Sequence, residues 1–314
     1  MFVFYVSSKI QRRRGLFAPC APPWSYNCPH TCRGVYRVQC ISEETRDSKQ
    51  LVTSLNRTLW KTSIAGSHVP MVYSPFLESM QNTLFASFET VQDYPLPQLF
   101  ASAQSQNKPA RIESWCYQCS KFRKIRLTYL DAGLAAQVFN AVWYPVTSLE
   151  LPILGVDFLS FGGKNILCVM DFQPLMNDQS YLDKYIQPLH PIRERYSDLA
   201  GRMSSRFYDE NRFFSKELLL GRFDSTKPVY DRLFPAFREY LELYIELAKK
   251  TAEDEKSRPI IWQRQCEYDR YSAEKDPAMS LFRSYFGSSW AYRFVYEFLF
   301  ENSCYENKRD EEKT

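Results

Sequence analysis

From Ser114 onward the apolar residues alternate with polar ones or gather in short blocks, and the pattern predicts four strands, at 124–130, 135–144, 151–160 and 165–172. Gly162-Gly163 places a hairpin turn between the last two. Connections this short force antiparallel neighbours, because a parallel pair needs a crossover of a dozen or more residues. Upstream, Phe76, Leu77, Met80, Leu84, Phe85 and Phe88 recur at helical spacing over 75–88, and 94–110, with three prolines, reads as loop. Downstream the chain turns helical. Residues 178–199 form a helix broken or bent around Pro188 and Pro191. The segment 231–250 carries an apolar face of Leu233, Phe234, Phe237, Leu241, Tyr244, Ile245 and Ala248, expected to pack on the sheet. Asp276-Pro277 can start a helix that Gly287 ends, and Ser288 or Ser289 can cap another running to Phe300. Strands followed by helices predict an α+β domain whose helices cover an antiparallel sheet.

The charge changes how the chain divides. The formal net charge is +4, yet six cations (Lys9, Arg12, Arg13, Arg14, Arg33, Arg37) precede the first acid, Glu43. The rest holds 34 basic against 36 acidic residues, so the positive charge belongs to a leader and is no nucleic-acid footprint. A basic, hydroxyl-containing, acid-free leader has the character of an organelle transit peptide; a secretory signal is the competing reading, but the apolar run 1–6 is short for one and is followed by Arg12 to Arg14. The expected division is transit peptide and linker over 1–70, a folded domain over 71–304 and a charged tail over 305–314. Four of the nine cysteines fall in the leader, and the odd remainder suits a reducing compartment.

Several chemistries lack their residues. The glycine of a P-loop is replaced by Phe158, no dinucleotide fingerprint follows any strand, and three histidines are too few for a triad or a His-rich metal site. Cys116 and Cys119 form a lone C-x-x-C without a second pair. Proton chemistry must then rest on carboxylates, tyrosines or thiols. Asp157 interrupts the apolar run ILGVDFL, on the same strand face as Ile153, Gly155 and Leu159. Burial there favours the neutral, proton-holding form that a general acid requires, whereas a position at the sheet rim would leave it an ordinary solvated carboxylate. Asn140 sits similarly within 138–143, either satisfying a core hydrogen bond or orienting a ligand. Asp276, before Pro277, reads first as a helix cap.

The strings IRLTYLDAG, QVFNAVWYP, LPILGVDFLSFGG and VMDFQPL, then FFSKELLLGRF and YSAEKDPAMSLFRSYFG, follow one another between 112 and 300 and resemble the ferredoxin-dependent bilin reductases. The resemblance implies a three-layer α/β/α sandwich with the bilin between the sheet and the C-terminal helices. It makes Asp157 the acid beneath the pigment and Asp276 a second acid presented from the helical side. LDAG, QVFN, LGVD, DFQPL, YLDKY and EFLF resemble the branch that reduces the C15=C16 methine bridge of biliverdin IXα. Asn140 and Thr128 stand where the phycocyanobilin-forming branch has His and Glu, which argues against a vinyl reduction. Reduction of the A-ring diene of 15,16-dihydrobiliverdin to phycoerythrobilin is the alternative.

The sequence shows no site for a bound redox cofactor and no apolar stretch long enough to span a membrane, and the resemblance implies electrons from an external reduced [2Fe-2S] ferredoxin; a monomer in the plastid stroma that binds neither nucleic acid nor membrane is expected. The next bilin reductase of the pathway is a further candidate partner. Arg222 is a candidate for binding a propionate of the pigment, and Lys121, Arg123, Lys124, Arg126 and Lys164 for a basic patch that receives the acidic ferredoxin. Two other classes make different forecasts. A bilin carrier would show no spectral change with reduced ferredoxin, and a thiol oxidoreductase would lose activity on replacement of Cys116 and Cys119 by Ser.

Overall fold

The computed structural model describes residues 50–201, 209 and 212–303, so most of the expected leader and the tail over 305–314 lie outside the described residues. Eight strands form one sheet: β1 (Gln92–Asp93), β2 (Ser102–Gln104), β3 (Arg111–Gln118), β4 (Phe122–Asp131), β5 (Gln137–Pro145), β6 (Ile153–Phe161), β7 (Asn165–Gln173) and β8 (Leu219–Phe223). The order runs β1-β3-β4-β5-β6-β7-β8, with β2 also on β3, and every strand pairing is antiparallel. The four strands read from the sequence are β4 to β7. Gly162 and Gly163 turn β6 into β7 with φ of +63° and +67°, which glycine adopts without steric cost. The expected loop over 94–110 instead contains a short helix and β2.

The helices are α1 (Ser74–Ser87), α2 (Gln98–Ala101), α3 (Gln179–Tyr185), α4 (His190–Arg195), α5 (Phe234–Lys250), α6 (Arg258–Lys275), α7 (Ala278–Phe286) and α8 (Ser288–Arg293). A π-helical segment, Phe294–Leu299, continues α8. Pro188 and Pro191 split 178–199 into α3, α4 and short 3-10 turns, as their missing N–H groups require. Gly287 ends α7 as expected, but it also forms the N-cap of α8, and neither Ser288 nor Ser289 caps by side chain.

Strand alternation sorts the sheet residues into two cores. On one face Phe76 of α1 packs edge-to-face on Phe158, Phe234 and Phe237 at ring separations of 4.9 to 5.0 Å. The expected apolar face of α5 joins this core through Phe237, Leu241, Tyr244, Ile245 and Ala248. On the other face Val142, Ile153, Leu159, Val169 and Leu220 meet side chains of α6, α7, α8 and the π-helical segment.

Packing begins upstream of Met71, where the sequence pattern placed the start of the domain. Ser54 is buried and its Oγ accepts the Cys116 N–H at 2.8 Å, and Arg57 donates to the carbonyls of Ser114 and Ala101 at 3.1 Å. Asp131 accepts from Ser63 Oγ at 2.8 Å and from the Ile64 N–H at 2.6 Å. These anchors are hydrogen bonds of polar side chains, so hydrophobic periodicity does not reveal them. Gly133, beside Asp131, has φ +62°, and a Cβ there would lie 2.6 Å from Ala65 Cβ. Gly133→Ala is therefore expected to cost roughly 2 kcal/mol and to lower Tm by about 6 °C. Gly162→Ala, equally left-handed but in open space, should lose about half as much in the same thermal melts.

Candidate active site

The strand register lines up Ser114, Thr128, Asn140, Asp157, Val169 and Leu220 as opposed neighbours from β3 to β8. All lie on the sheet face beneath α6 to α8. The first four are buried polar residues in the middle of a sheet, an arrangement that costs stability unless each finds a partner. Ser114 Oγ and Thr128 Oγ1 share a hydrogen bond of 3.1 Å, and Asn140 Nδ2 donates to Asp157 Oδ1 at 3.2 Å. Asp157 is 2 % exposed. The rim reading of Asp157 is thereby excluded, and Asn140 satisfies one hydrogen bond of its carboxyl group.

One row along, Cys116, Arg126, Val142, Gly155 and Asp171 face the same way. Arg126 is fully buried and its Nη1 donates to Thr128 Oγ1 at 3.3 Å. Asp171 accepts from the Ser215 N–H at 2.7 Å and from Ser215 Oγ, holding the segment with Phe213 and Phe214 against the sheet. Burial pushes the Asp171 carboxyl up to about 7. A Cβ on Gly155 would meet Gln173 Oε1 at 2.5 Å, so the glycine leaves room for Gln173 to accept the Tyr268 O–H at 2.7 Å.

The covering helix α6 turns polar residues inward at helical spacing: Gln265, Tyr268, Asp269 and Ser272 are all buried. Besides Tyr268 on Gln173, Gln265 Nε2 donates to the Pro145 carbonyl at 3.0 Å, and Asp269 accepts from Tyr144 O–H at 2.7 Å. Burial pushes the Asp269 carboxyl up. The helix stops at Asp276 because Pro277 disfavours the α conformation in the residue before it. Asp276 Oδ1 accepts the Ala278 N–H at 2.7 Å, the capping role read from the sequence, while Oδ2 has no hydrogen-bond partner among the described residues. The group is 6 % exposed, and burial pushes its carboxyl up to about 6. Asp157 and Asp276 thus belong to the two layers that face each other, one on the sheet and one at the end of α6. Arg222 lies on the same sheet face at the edge strand β8, opposite Leu167, with its side chain exposed.

The expected basic patch is not a surface. Lys124 and Arg126 are 1 % and 0 % exposed, with Lys124 Nζ donating to the Phe298 carbonyl at 2.9 Å and paired with Glu301 at 2.8 Å. Arg123 donates to Gln265, Lys121 Nζ donates to the Thr251 carbonyl at 3.1 Å, and of the five only Lys164 is exposed. Period-two alternation carries the signal that was missed, since Lys124, Arg126 and Thr128 share a strand face with Asn140 and Asp157. Cys116 and Cys119 are both free thiols, the first packed on the acid-bearing face and the second against the opposite core. Burial pushes Cys116 up to about 12 and raises Cys119 as well, which suits core thiols and removes the redox-pair reading. Among the described residues no group of three His, Cys, Asp or Glu could hold a metal ion, and no helix is long and apolar enough to cross a membrane. A cleft of about 520 Å³ bounded by Pro174, Leu182, His190, Phe214 and Glu217 contains neither acid.

A family model for ferredoxin-dependent bilin reductases matches residues 78–301. A 15,16-dihydrobiliverdin:ferredoxin oxidoreductase of Gloeobacter violaceus is 47% identical over 236 residues, covering 74% of this chain and 96% of that protein. The Nostoc punctiforme protein of the same name is 46% identical over 235 residues, with coverage of 74% and 96%. Among solved structures, phytochromobilin synthase from tomato in complex with biliverdin shares the fold with a TM-score of 0.68 at 22% identity, over 74% of this chain and 83% of that one.

Proposed function

The chain belongs to the ferredoxin-dependent bilin reductase family, and we propose that it reduces biliverdin IXα at the C15=C16 methine bridge to give 15,16-dihydrobiliverdin. The observation that carries this reading is the buried Asp157–Asn140 pair at the centre of the sheet. Relatives nearly half identical over almost their whole length bear the name of that enzyme, which supports the choice of substrate. The pigment lies between the sheet and α6 to α8, in a three-layer α/β/α sandwich. Two molecules of reduced ferredoxin each supply one electron, and each electron is followed by one proton, so the C15=C16 double bond becomes a single bond. Asp157, held by Asn140 through Oδ1, supplies the earlier proton. Asp276, with Oδ1 occupied by the Ala278 N–H, supplies the later one from Oδ2. Arg222 at the open edge pairs with a propionate. The basic leader directs the chain to the plastid, where ferredoxin is reduced.

Substrate choice is tested by offering biliverdin and 15,16-dihydrobiliverdin separately with a ferredoxin-reducing system. Biliverdin is expected to turn over and dihydrobiliverdin to be returned, whereas turnover of dihydrobiliverdin alone would select reduction of the A-ring diene. The acid roles carry a pH prediction. A carboxyl raised to about 6 holds its proton below that pH and loses it above, so the rate of the Asp276-dependent step is expected to fall about tenfold per pH unit on the alkaline side. Asp276→Asn should abolish that limb and leave a slow, flat profile. An unchanged limb in the variant would assign the titration to another group.

A further inference from the structure

Arg126 lies in the middle of β4, fully buried, on the face that carries Asn140 and Asp157. Its Nη1 donates to Thr128 Oγ1, but neither Nε nor Nη2 has a hydrogen-bond partner among the described residues. A guanidinium stays charged in a protein, so two cationic donors have been withdrawn from water without replacement, a costly state. Asp276, in the covering layer, is in the complementary condition through Oδ2. Arg126 is near enough for its charge to act on both Asp276 and Tyr268, yet those open atoms are not bonded to one another. A cation fixed on a central strand, with donors open between sheet and helices, is preorganised for an acceptor that enters from outside the chain.

We propose that Arg126 binds a lactam carbonyl oxygen of the tetrapyrrole and stabilises the negative charge that each incoming electron places there. This rests on the function proposed above. An open-chain tetrapyrrole offers two kinds of strong acceptor, its propionate carboxylates and the carbonyl oxygens of its terminal lactam rings. Propionates are ionic and belong at the rim, where Arg222 is exposed, whereas a neutral lactam can follow its ring into the dry centre. The lactam oxygen is conjugated with the methine bridges, so an electron added to the pigment resides partly on it. A guanidinium gains modestly from a neutral carbonyl and far more from that oxygen once charged, so its contribution falls on rate more than on binding. In each step the pigment gains one electron from ferredoxin and one proton from a carboxyl group, and Arg126 keeps its own protons throughout.

The test compares wild type with Arg126→Met, similar in length but uncharged, and with Arg126→Lys. Three quantities are read: thermal unfolding of the free protein, biliverdin affinity by absorbance titration, and single-turnover reduction by pre-reduced ferredoxin. Arg126→Met is expected to keep or raise Tm, because it removes an unpaired buried charge. It should bind biliverdin about tenfold more weakly and reduce it about 100-fold more slowly, with Arg126→Lys between. A lower Tm in Arg126→Met that Arg126→Lys restores, with rates following the folded fraction, would make Arg126 structural and overturn the proposal. Biliverdin dimethyl ester separates the two kinds of oxygen. The wild-type to Arg126→Met rate ratio is expected to persist with the ester, and a ratio near one would move Arg126 to a propionate and overturn the lactam assignment. If wild type binds biliverdin without reducing it, the proposed function fails on its own, and equal affinities of wild type and Arg126→Met would then overturn the inference.

Discussion

Asp157→Asn is expected to bind biliverdin with near wild-type affinity while forming 15,16-dihydrobiliverdin about 10³-fold more slowly, a loss of about 4 kcal/mol in transition-state stabilisation. Asparagine matches aspartic acid in shape and hydrogen-bonding capacity, so the buried contact with Asn140 can be rebuilt by an amide flip. Folding and the pocket wall are therefore preserved. What is removed is the transferable proton at the end of the buried polar row Ser114, Thr128, Asn140, Asp157. The row has few substitutes, because Thr128 and Asn140 cannot deliver a proton at neutral pH. With reduced ferredoxin and excess biliverdin, the variant should accumulate a one-electron-reduced bilin radical, visible by electron paramagnetic resonance, or return the pigment unreduced. Wild-type turnover would remove Asp157 from the proton path. Loss of pigment binding in a folded variant would instead give it a binding role.

The second large effect is on stability. Asp131 of the LDAG motif is completely buried and accepts five hydrogen bonds: Ser63 Oγ, the Ile64 N–H, the Gly133 N–H at 3.0 Å, and Arg111 Nε and Nη2 at 3.2 and 3.0 Å. Arg111 also stacks over Trp60 at 4.0 Å, so this one carboxylate joins the segment before α1 to the ends of β3 and β4. Asp131→Ala strands these donors together and leaves the Arg111 charge without its partner. A loss of about 4 kcal/mol is expected, lowering Tm by about 10 °C. Asp131→Asn retains part of the acceptor set and should lose roughly half as much in the same melts. An unchanged Tm in Asp131→Ala would mean that the segment before α1 contributes nothing to the fold.

Strands β4 to β7 were legible because their apolar runs are bounded by turn residues, and α5 because its apolar face repeats at helical spacing. Strands β3 and β8 were not. β3 mixes Arg111, Glu113, Ser114 and Gln118 into its pattern, and its polar residues are satisfied by the segment before α1 and by β4. β8 has only five residues. Helix α6 was hidden for the opposite reason to α5, since it turns Gln265, Tyr268, Asp269 and Ser272 inward, the first three against partners on β5 and β7. A helix whose inward face is polar carries no hydrophobic stripe. Asp157 could be singled out because a carboxylate among apolar neighbours is anomalous locally. Asp276 could not, for its cap is real and its second oxygen matters only once the sheet is opposite. Arg126 reads as surface charge in a string with Lys121, Arg123 and Lys124, and only strand alternation turns it inward.

Which bond of the pigment is reduced can be read from the product. The chain is mixed anaerobically with biliverdin IXα and reduced ferredoxin in D₂O, and the product is isolated for mass spectrometry and NMR. The expected product is a pigment heavier by two hydrogen equivalents, with saturated carbons and carbon-bound deuterium at the C15–C16 bridge, and absorption moved to shorter wavelength as conjugation is cut. Biliverdin recovered unchanged, or a reduced pigment whose C15=C16 bond is intact, would contradict reduction at that bridge.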